Sequence, residues 1–328
     1  MGRLLAVGKQ DIAQVLSLAE TIIQAEEGYK ALHRGNVDVP AVQHLENPEV
    51  EGEFDVKSAF LRAPGPYASV KVATGFFQNH ARGLPTSHAV ILLLDGATGA
   101  PLAIVDGDLI TNWRTGAAAA VATKHLSNPT AASVGLIGSG VIAGMALRAI
   151  CQVRPIRRAW VWAPPVEMRE EFARVLTGEL GLPVLSVDSP REAVSQADVV
   201  VTATPSRAPI VDSTMIRPGT HINAIGADAP GKQELDAALT ASAKLVVDRL
   251  AQCRSSGELQ HALRQGLMEE SEVHSEIGAI LCGAAPGRTS TSEITIFDAT
   301  GVAALDIAVT ALVYEQARLK GLGTWVEL

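Results

Sequence analysis

A short apolar strand running straight into a glycine-spaced turn restricts this chain more than any other feature: Val134-Gly135-Leu136-Ile137-Gly138-Ser139-Gly140-Val141-Ile142-Ala143. Gly138 suits the tight turn, and Gly140 lets the backbone approach a pyrophosphate. Ala143 allows the next helix, expected to reach about residue 150, to pack closely on its strand. Phosphates placed there meet the unpaired N–H groups and the positive dipole end of that helix. The spacing alone is a weak signal, and its context strengthens it. Short apolar segments recur at 133–137, 159–162, 184–187, 199–202, 221–225 and 244–247, with helical stretches in most intervals. That is the rhythm of βα units building a parallel sheet covered on both faces. The expectation is an α/β fold with a Rossmann dinucleotide-binding domain for NAD or NADP.

The second strand should deliver an acid to the adenosine ribose, yet it ends Val161-Trp162-Ala163-Pro164-Pro165, with Ala163 in that place. Without the carboxylate a 2′-phosphate is not repelled, and no Arg stands there to attract it; the expectation tilts toward NADP. A second string, Gly226-Ala227-Asp228-Ala229-Pro230-Gly231-Lys232-Gln233, matches the start of a triphosphate-binding loop. It fails as one, because Gln233 replaces the magnesium-holding Ser or Thr and Pro230 lacks a backbone donor. Ser189-Pro190-Arg191-Glu192 marks a helix start by its capping box.

The first third of the chain has a different texture. Apolar residues from Asp11 to about His33 follow helical spacing, with Asp11 as the expected N-cap. Residues 54–105 alternate and are punctuated by Asp95-Gly96 and Thr98-Gly99, which predicts an antiparallel β region. Between the halves lies Gly107 to Ala120, where Arg114 precedes small residues; it reads as a guanidinium at the head of a closely packed helix. Its planar fork suits a carboxylate, and equally a structural ion pair. A final helix, 300–319, stopped by Gly321, is expected to pack back on the first domain. The boundaries that follow are 1–118 with 303–328 for a discontinuous β-rich α+β domain, and 119–302 for the Rossmann domain.

Composition narrows the function. The 328 residues suit about two domains. Lys and Arg number 27 against 35 Asp and Glu, a net charge of −8, which gives no electrostatic reason to bind nucleic acid or an anionic membrane. Cys151, Cys253 and Cys282 are odd in number and widely spaced, so neither a disulfide framework nor a zinc site is expected. No transmembrane run or targeting signal is legible, and a soluble cytoplasmic protein is the expectation.

Several segments together resemble the ornithine cyclodeaminase/mu-crystallin family. They are Val70-Lys71-Val72, Gly83-Leu84-Pro85-Thr86, Arg114-Thr115-Gly116-Ala117-Ala118, the glycine fingerprint, Thr202-Ala203-Thr204-Pro205, the run from Gly226 to Asp236, and residues 294–301. The resemblance spans nearly the whole chain, and the run around Asp228 is its most specific part. It implies a homodimer in which each subunit joins a β-rich substrate and dimerisation domain to a dinucleotide-binding domain. Lys71 and Arg114 would hold a substrate carboxylate, and Asp228 would handle the substrate nitrogen or its proton. The cofactor would lie along Thr86, Thr115, Gly138, Ser139, Gly140, Val141, Ile142, Ala163, Thr202, Ala203, Thr204, Gly226, Asp228 and Val302. Val302 would also border the substrate. One departure stands out: where several members place an Arg shortly after a Pro, this chain has Pro40-Ala41-Val42, with Val42 at that position. Lys57 is the candidate replacement contact.

Three readings share such a site. A reductase delivers hydride to a cyclic ketimine or α-imino acid; a cyclodeaminase removes hydride from a diamino acid, loses ammonia and returns the hydride; a crystallin-like protein binds cofactor with little catalysis. The reductase is preferred because residues 297–306 look less like the ornithine-specific members, and the trio Lys71, Arg114 and Asp228 has no purpose in an inert scaffold. His88 is a lesser substrate-contact candidate and reads more readily as a structural or solvent-facing histidine; Lys232 reads as a solvated charge.

Overall fold

A computed structural model describes residues 2–63 and 65–327. In chain order the regular elements are β1 (Arg3–Val7), α1 (Lys9–Val15), α2 (Leu18–His33), β2 (Val37–Asp38), β3 (Gln43–Asn47), β4 (Gly52–Leu61), β5 (Tyr67–Phe76), β6 (Ser87–Asp95), β7 (Pro101–Asp106) and α3 (Gly107–Leu126). There follow β8 (Ser133–Ile137), α4 (Val141–Val153), β9 (Arg158–Trp162), α5 (Val166–Leu180), β10 (Val184–Ser186), α6 (Pro190–Val194), β11 (Val199–Thr202), β12 (Arg207–Val211), β13 (His221–Ala224) and β14 (Gln233–Leu235). The chain ends with α7 (Ala237–Ser242), β15 (Lys244–Val247), α8 (Leu250–Ser256), α9 (Leu259–Arg264), β16 (Ser275–Glu276), α10 (Ile277–Leu281), β17 (Thr295–Asp298), α11 (Ala303–Lys320) and β18 (Thr324–Glu327). Two compact units divide these elements: residues 1–114 with 302–328, and residues 115–301. Among the described residues no helix is long and apolar enough to cross a membrane.

The first unit is built on a mixed sheet ordered β18-β1-β7-β6-β5-β4-β2, with β3 also paired to β4. Every pairing is antiparallel except β1 with β7. Along β4 and β5 the register sets Lys57 opposite Lys71, so both side chains leave the same face of the sheet. The helix α11 packs on α2 and against β4 and β5. Gly28 permits the close helix contact, since a Cβ there would lie 3.1 Å from the Ala304 carbonyl oxygen.

The single helix expected over 11–33 is two. The first ends at Val15, and Ser17 opens α2 with a capping box: its Oγ accepts from the Glu20 N–H at 3.2 Å, and its own N–H donates to the Glu20 carboxylate at 2.9 Å. That satisfies two amide donors otherwise left over at a helix start, so a break there costs little. Asp11 is not an N-cap. It lies in the first turn of α1, where its carboxylate accepts from the Gly8 N–H at 3.1 Å.

The second unit carries an eight-stranded parallel sheet ordered β10-β9-β8-β11-β13-β17-β15-β16. From β8 the chain first builds outward through β9 and β10, then returns past β8 to β11. Successive crossovers therefore leave opposite sides of the β8 and β11 edges, which is the switch point of a doubly wound sheet. The residues of β8, β11 and β13 are all buried, as strands sandwiched between helical layers must be. A small parallel pair, β12 with β14, lies outside the main sheet.

Several strands are missing from the sequence reading, among them β12, β14, β16 and, at the centre of the main sheet, β17, which inserts between β13 and β15. It is four residues long and fully buried, yet two of them are polar. Thr295 Oγ1 donates to the Leu126 carbonyl oxygen at 2.9 Å, and Asp298 accepts from the Glu258 and Leu259 N–H groups, each at 3.0 Å. Polar residues satisfied only through distant partners leave no apolar run to recognise.

Candidate active site

In the second unit Gly138 adopts φ +115°, a region closed to other residues, and a Cβ there would lie 2.5 Å from the Ala203 carbonyl oxygen. Gly140 is the N-cap of α4, and a Cβ on it would meet nothing within 4 Å, so the approach to the first N–H groups of the helix is open. The first intrahelical bond after this cap is donated by Gly144, which leaves the amides of Val141, Ile142 and Ala143 without one. Ala143 is fully buried beneath them. Beside the loop a groove of about 470 Å³ is lined by Ser139, Gly140, Val141, Glu167, Met168 and Phe172. These residues fit a dinucleotide, with its pyrophosphate at the start of α4. Ala163, after β9, is buried and offers no charge to a ribose.

At the carboxyl edge of the same sheet two loops are tied by a residue the sequence reading passed over. Glu234, fully buried, accepts from the Thr204 N–H at 2.6 Å and from the Gly226 N–H at 3.0 Å. It thereby joins the Thr202-Ala203-Thr204 segment at the end of β11 to the Gly226 loop after β13. Only glycine fits at 226, since a Cβ would stand 2.4 Å from the Glu234 carboxylate. Glu258 in turn accepts from the Glu234 and Leu235 N–H groups at 2.8 and 3.1 Å. Burial pushes the Glu234 carboxyl up to about 7, against the pull of its hydrogen bonds; Asp298 is raised to about 7, again by burial first. A carboxyl raised on folding contributes stability that is present below its unfolded value and is lost as pH rises through its folded value. Glu234→Gln is therefore expected to flatten the fall of Tm between about pH 5 and 8 relative to the parent; melting curves across that range check it, and identical slopes would contradict it.

Asp228 follows β13 on the same loop, with 43% of its side chain exposed and Lys232 Nζ 2.7 Å from its Oδ1. Lys232 is buried, so it is a fixed partner of Asp228 and not the solvated charge its sequence context suggested. Thr115 lies in α3 one residue before Gly116, whose missing Cβ would sit 2.6 Å from Met145 Cγ of α4, so the glycine allows the close approach at that point.

In the first unit Arg114 is not at a helix head. The helix α3 begins at Gly107, Asp106 Oδ1 accepts from the Leu109 N–H at 2.9 Å, and Arg114 emerges two turns later with 6% exposure. Lys71 in β5 is 2% exposed. Both meet Asp306 of α11: Lys71 Nζ is 2.8 Å from its Oδ2, and Arg114 Nε donates to its Oδ1 at 3.0 Å. Lys57, also buried, adds its charge to the same field. The structure thus gathers three of the anticipated cations around a carboxylate that had no anticipated role. The available signal was its spacing: Asp306 interrupts the apolar stripe Val302, Leu305, Val309 and Val313. Burial and the neighbouring Arg114 charge lower the Lys71 ammonium to about 7. Val302 is the buried N-cap of α11. His88 is exposed at the start of β6, its Nδ1 4.0 Å from Asp108 Oδ2, and Thr86 accepts the Phe76 N–H through its carbonyl oxygen at 2.7 Å.

The whole chain has close structural counterparts. An archaeal alanine dehydrogenase dimer with bound NAD superposes with a TM-score of 0.94 at 36% identity, covering 99% of each chain. The Thermococcus litoralis Δ1-pyrroline-2-carboxylate reductase, in complex with NADH and L-proline, gives 0.94 at 35% identity over 98% of this chain and 99% of that one. The iminosuccinate reductase of Paracoccus denitrificans, in complex with NAD+, gives 0.91 at 33% identity over 99% of this chain and 100% of that one. Residues 5–321 match the ornithine cyclodeaminase/mu-crystallin family, and the chain belongs to it.

Proposed function

We propose that this protein is an NAD(P)H-dependent oxidoreductase that reduces the C=N bond of a small cyclic ketimine or α-imino acid to the amino acid. The observation that carries the reading is the buried pair Lys71 and Arg114 on one carboxylate: two cations share a single acid, an arrangement that favours a further anion beside them. A substrate carboxylate supplies it. Because Asp306 engages Arg114 through Nε, both Nη groups lie outside that bond, at the end of the fork suited to a carboxylate.

When bound along the start of α4, NAD(P)H would supply the hydride that the imine carbon accepts. Lys71 and Arg114 anchor the carboxylate and so orient the adjacent carbon, which replaces a bimolecular encounter by a positioned one. Asp228 stabilises the protonated nitrogen, and its partial exposure lets it exchange a proton with water. The amine nitrogen keeps that proton as the C=N bond becomes single. The Thr204 and Gly226 loops, tied by Glu234, present backbone at the carboxyl edge where a doubly wound sheet binds its ligand. A homodimer, residues 1–118 with 303–328 serving substrate and dimerisation, and a cytoplasmic location with access to the NAD(P)H pool belong to the same proposal.

The test is a substrate panel with both cofactors, following nicotinamide absorbance and ammonia together. Pyrroline-2-carboxylate or piperideine-2-carboxylate should consume NADH or NADPH without ammonia release. Ornithine giving proline and ammonia with no net absorbance change would instead assign a cyclodeaminase.

A further inference from the structure

We propose that Asp306 is a positioning residue for substrate capture, holding the Lys71 ammonium and the Arg114 guanidinium in the arrangement that receives the substrate carboxylate. This rests on the reductase reading above. Asp306 is the fourth residue of α11, 1% exposed, on the helix face that also carries the fully buried Leu305 and Val309. The buried trio as a whole is no aid to stability, because well-packed apolar side chains of similar volume in place of all three do as well or better, so the carboxylate is there for the two cations with which it pairs. Its geometry does serve the cations. The two oxygens are divided between them, Oδ2 to Lys71 Nζ at 2.8 Å and Oδ1 to Arg114 Nε at 3.0 Å, so one planar group sets the separation of two charges from different elements. Lys71 Nζ also donates to Thr111 Oγ1 at 3.4 Å. With its Nε bonded, Arg114 has only one remaining way to present two parallel donors, through its Nη end.

The charges facing Lys71 are Arg114 from α3, Lys57 from β4 and Asp306 from α11, and only Asp306 favours the ammonium form. Burial by itself would raise the Asp306 carboxyl. The charges of Lys71 and Arg114, the hydrogen bond from Lys71 and the charge of Lys57 outweigh it and hold the group at about 2, so it stays ionised at every working pH. Removing that charge leaves Lys71 facing two like charges, and its ammonium deprotonates at lower pH.

The experiment compares the parent with Asp306→Asn and Asp306→Glu. For Asp306→Asn, KM for pyrroline-2-carboxylate should rise on the order of 10- to 100-fold, and the alkaline limb of kcat/KM should move acidward by about one pH unit or more. NAD(P)H affinity, read by fluorescence titration, should stay within about twofold. Asp306→Glu retains the charge but displaces it by a methylene: KM should rise while the alkaline limb stays near that of the parent. An Asp306→Asn enzyme whose pH profile is unmoved, with kcat and Tm falling together, would make Asp306 a packing residue and overturn the proposal. Titration of the Lys71 ammonium by NMR of selectively labelled protein separates the two levels of inference. A lowered Lys71 value in Asp306→Asn in a protein that reduces no imine supports the positioning role and refutes the reductase reading; an unchanged value in an active reductase does the reverse.

Discussion

Asp228→Asn is expected to lower kcat for imine reduction by about 100- to 10,000-fold while NAD(P)H affinity changes by less than about threefold. The carboxylate sits on the loop after β13 with part of its surface open to water and Lys232 2.7 Å from Oδ1. Asn keeps the volume and can still accept from that ammonium through its amide oxygen. What it lacks is the negative charge and the proton capacity that the proposed mechanism assigns to Asp228 at a protonated imine nitrogen. The loss therefore falls on the chemical step and not on the fold. Steady-state kinetics, a cofactor titration and a melting curve on the same preparation check this. A parallel loss of cofactor affinity and Tm would instead make Asp228 a brace for the Gly226 loop through Lys232.

Gly138→Ala should weaken NAD(P)H binding by about 100-fold or more and lower Tm by several degrees, because two penalties coincide. The backbone at φ +115° is open only to glycine, and the added methyl would stand 2.5 Å from the Ala203 carbonyl oxygen. Relief requires either the turn to change conformation or the segment after β11 to retreat, and each misplaces the start of α4. Gly140→Ala is the matched control. Its φ of −83° suits any residue, and its Cβ would meet no atom within 4 Å, so the fold should keep its Tm while the methyl obstructs a phosphate at the helix start. Two glycines two residues apart thus separate a conformational requirement from a steric one. Equal Tm losses in both variants would contradict that division.

Legibility followed the range of the interactions involved. The glycine fingerprint, the βα rhythm and the end of α11 at Gly321 depend on neighbours within a few residues, and those signals survive in one dimension. The break at Ser17 was equally local; Ser17 and Glu20 form a capping box that helical periodicity alone hides. Arg114 was misplaced on its helix because a string of small residues looks like a start, whereas Asp106 caps eight residues earlier. Asp306, Glu234 and β17 were invisible for a different reason. Each is a buried polar feature whose partners lie far away in sequence: Lys71 and Arg114 for Asp306, Thr204 and Gly226 for Glu234, Leu126 and Glu258 for β17.

From the order of its residues alone this chain announced a dinucleotide fold and a family, because small residues at a turn and short motifs are local chemistry. Which acid pairs with Lys71 and Arg114, which carboxylate joins the Thr204 and Gly226 loops, and that Lys232 is buried against Asp228 were decided only by folding. A buried charge is tolerated where the tertiary structure brings it a partner, and the identity of that partner is a property of three-dimensional packing.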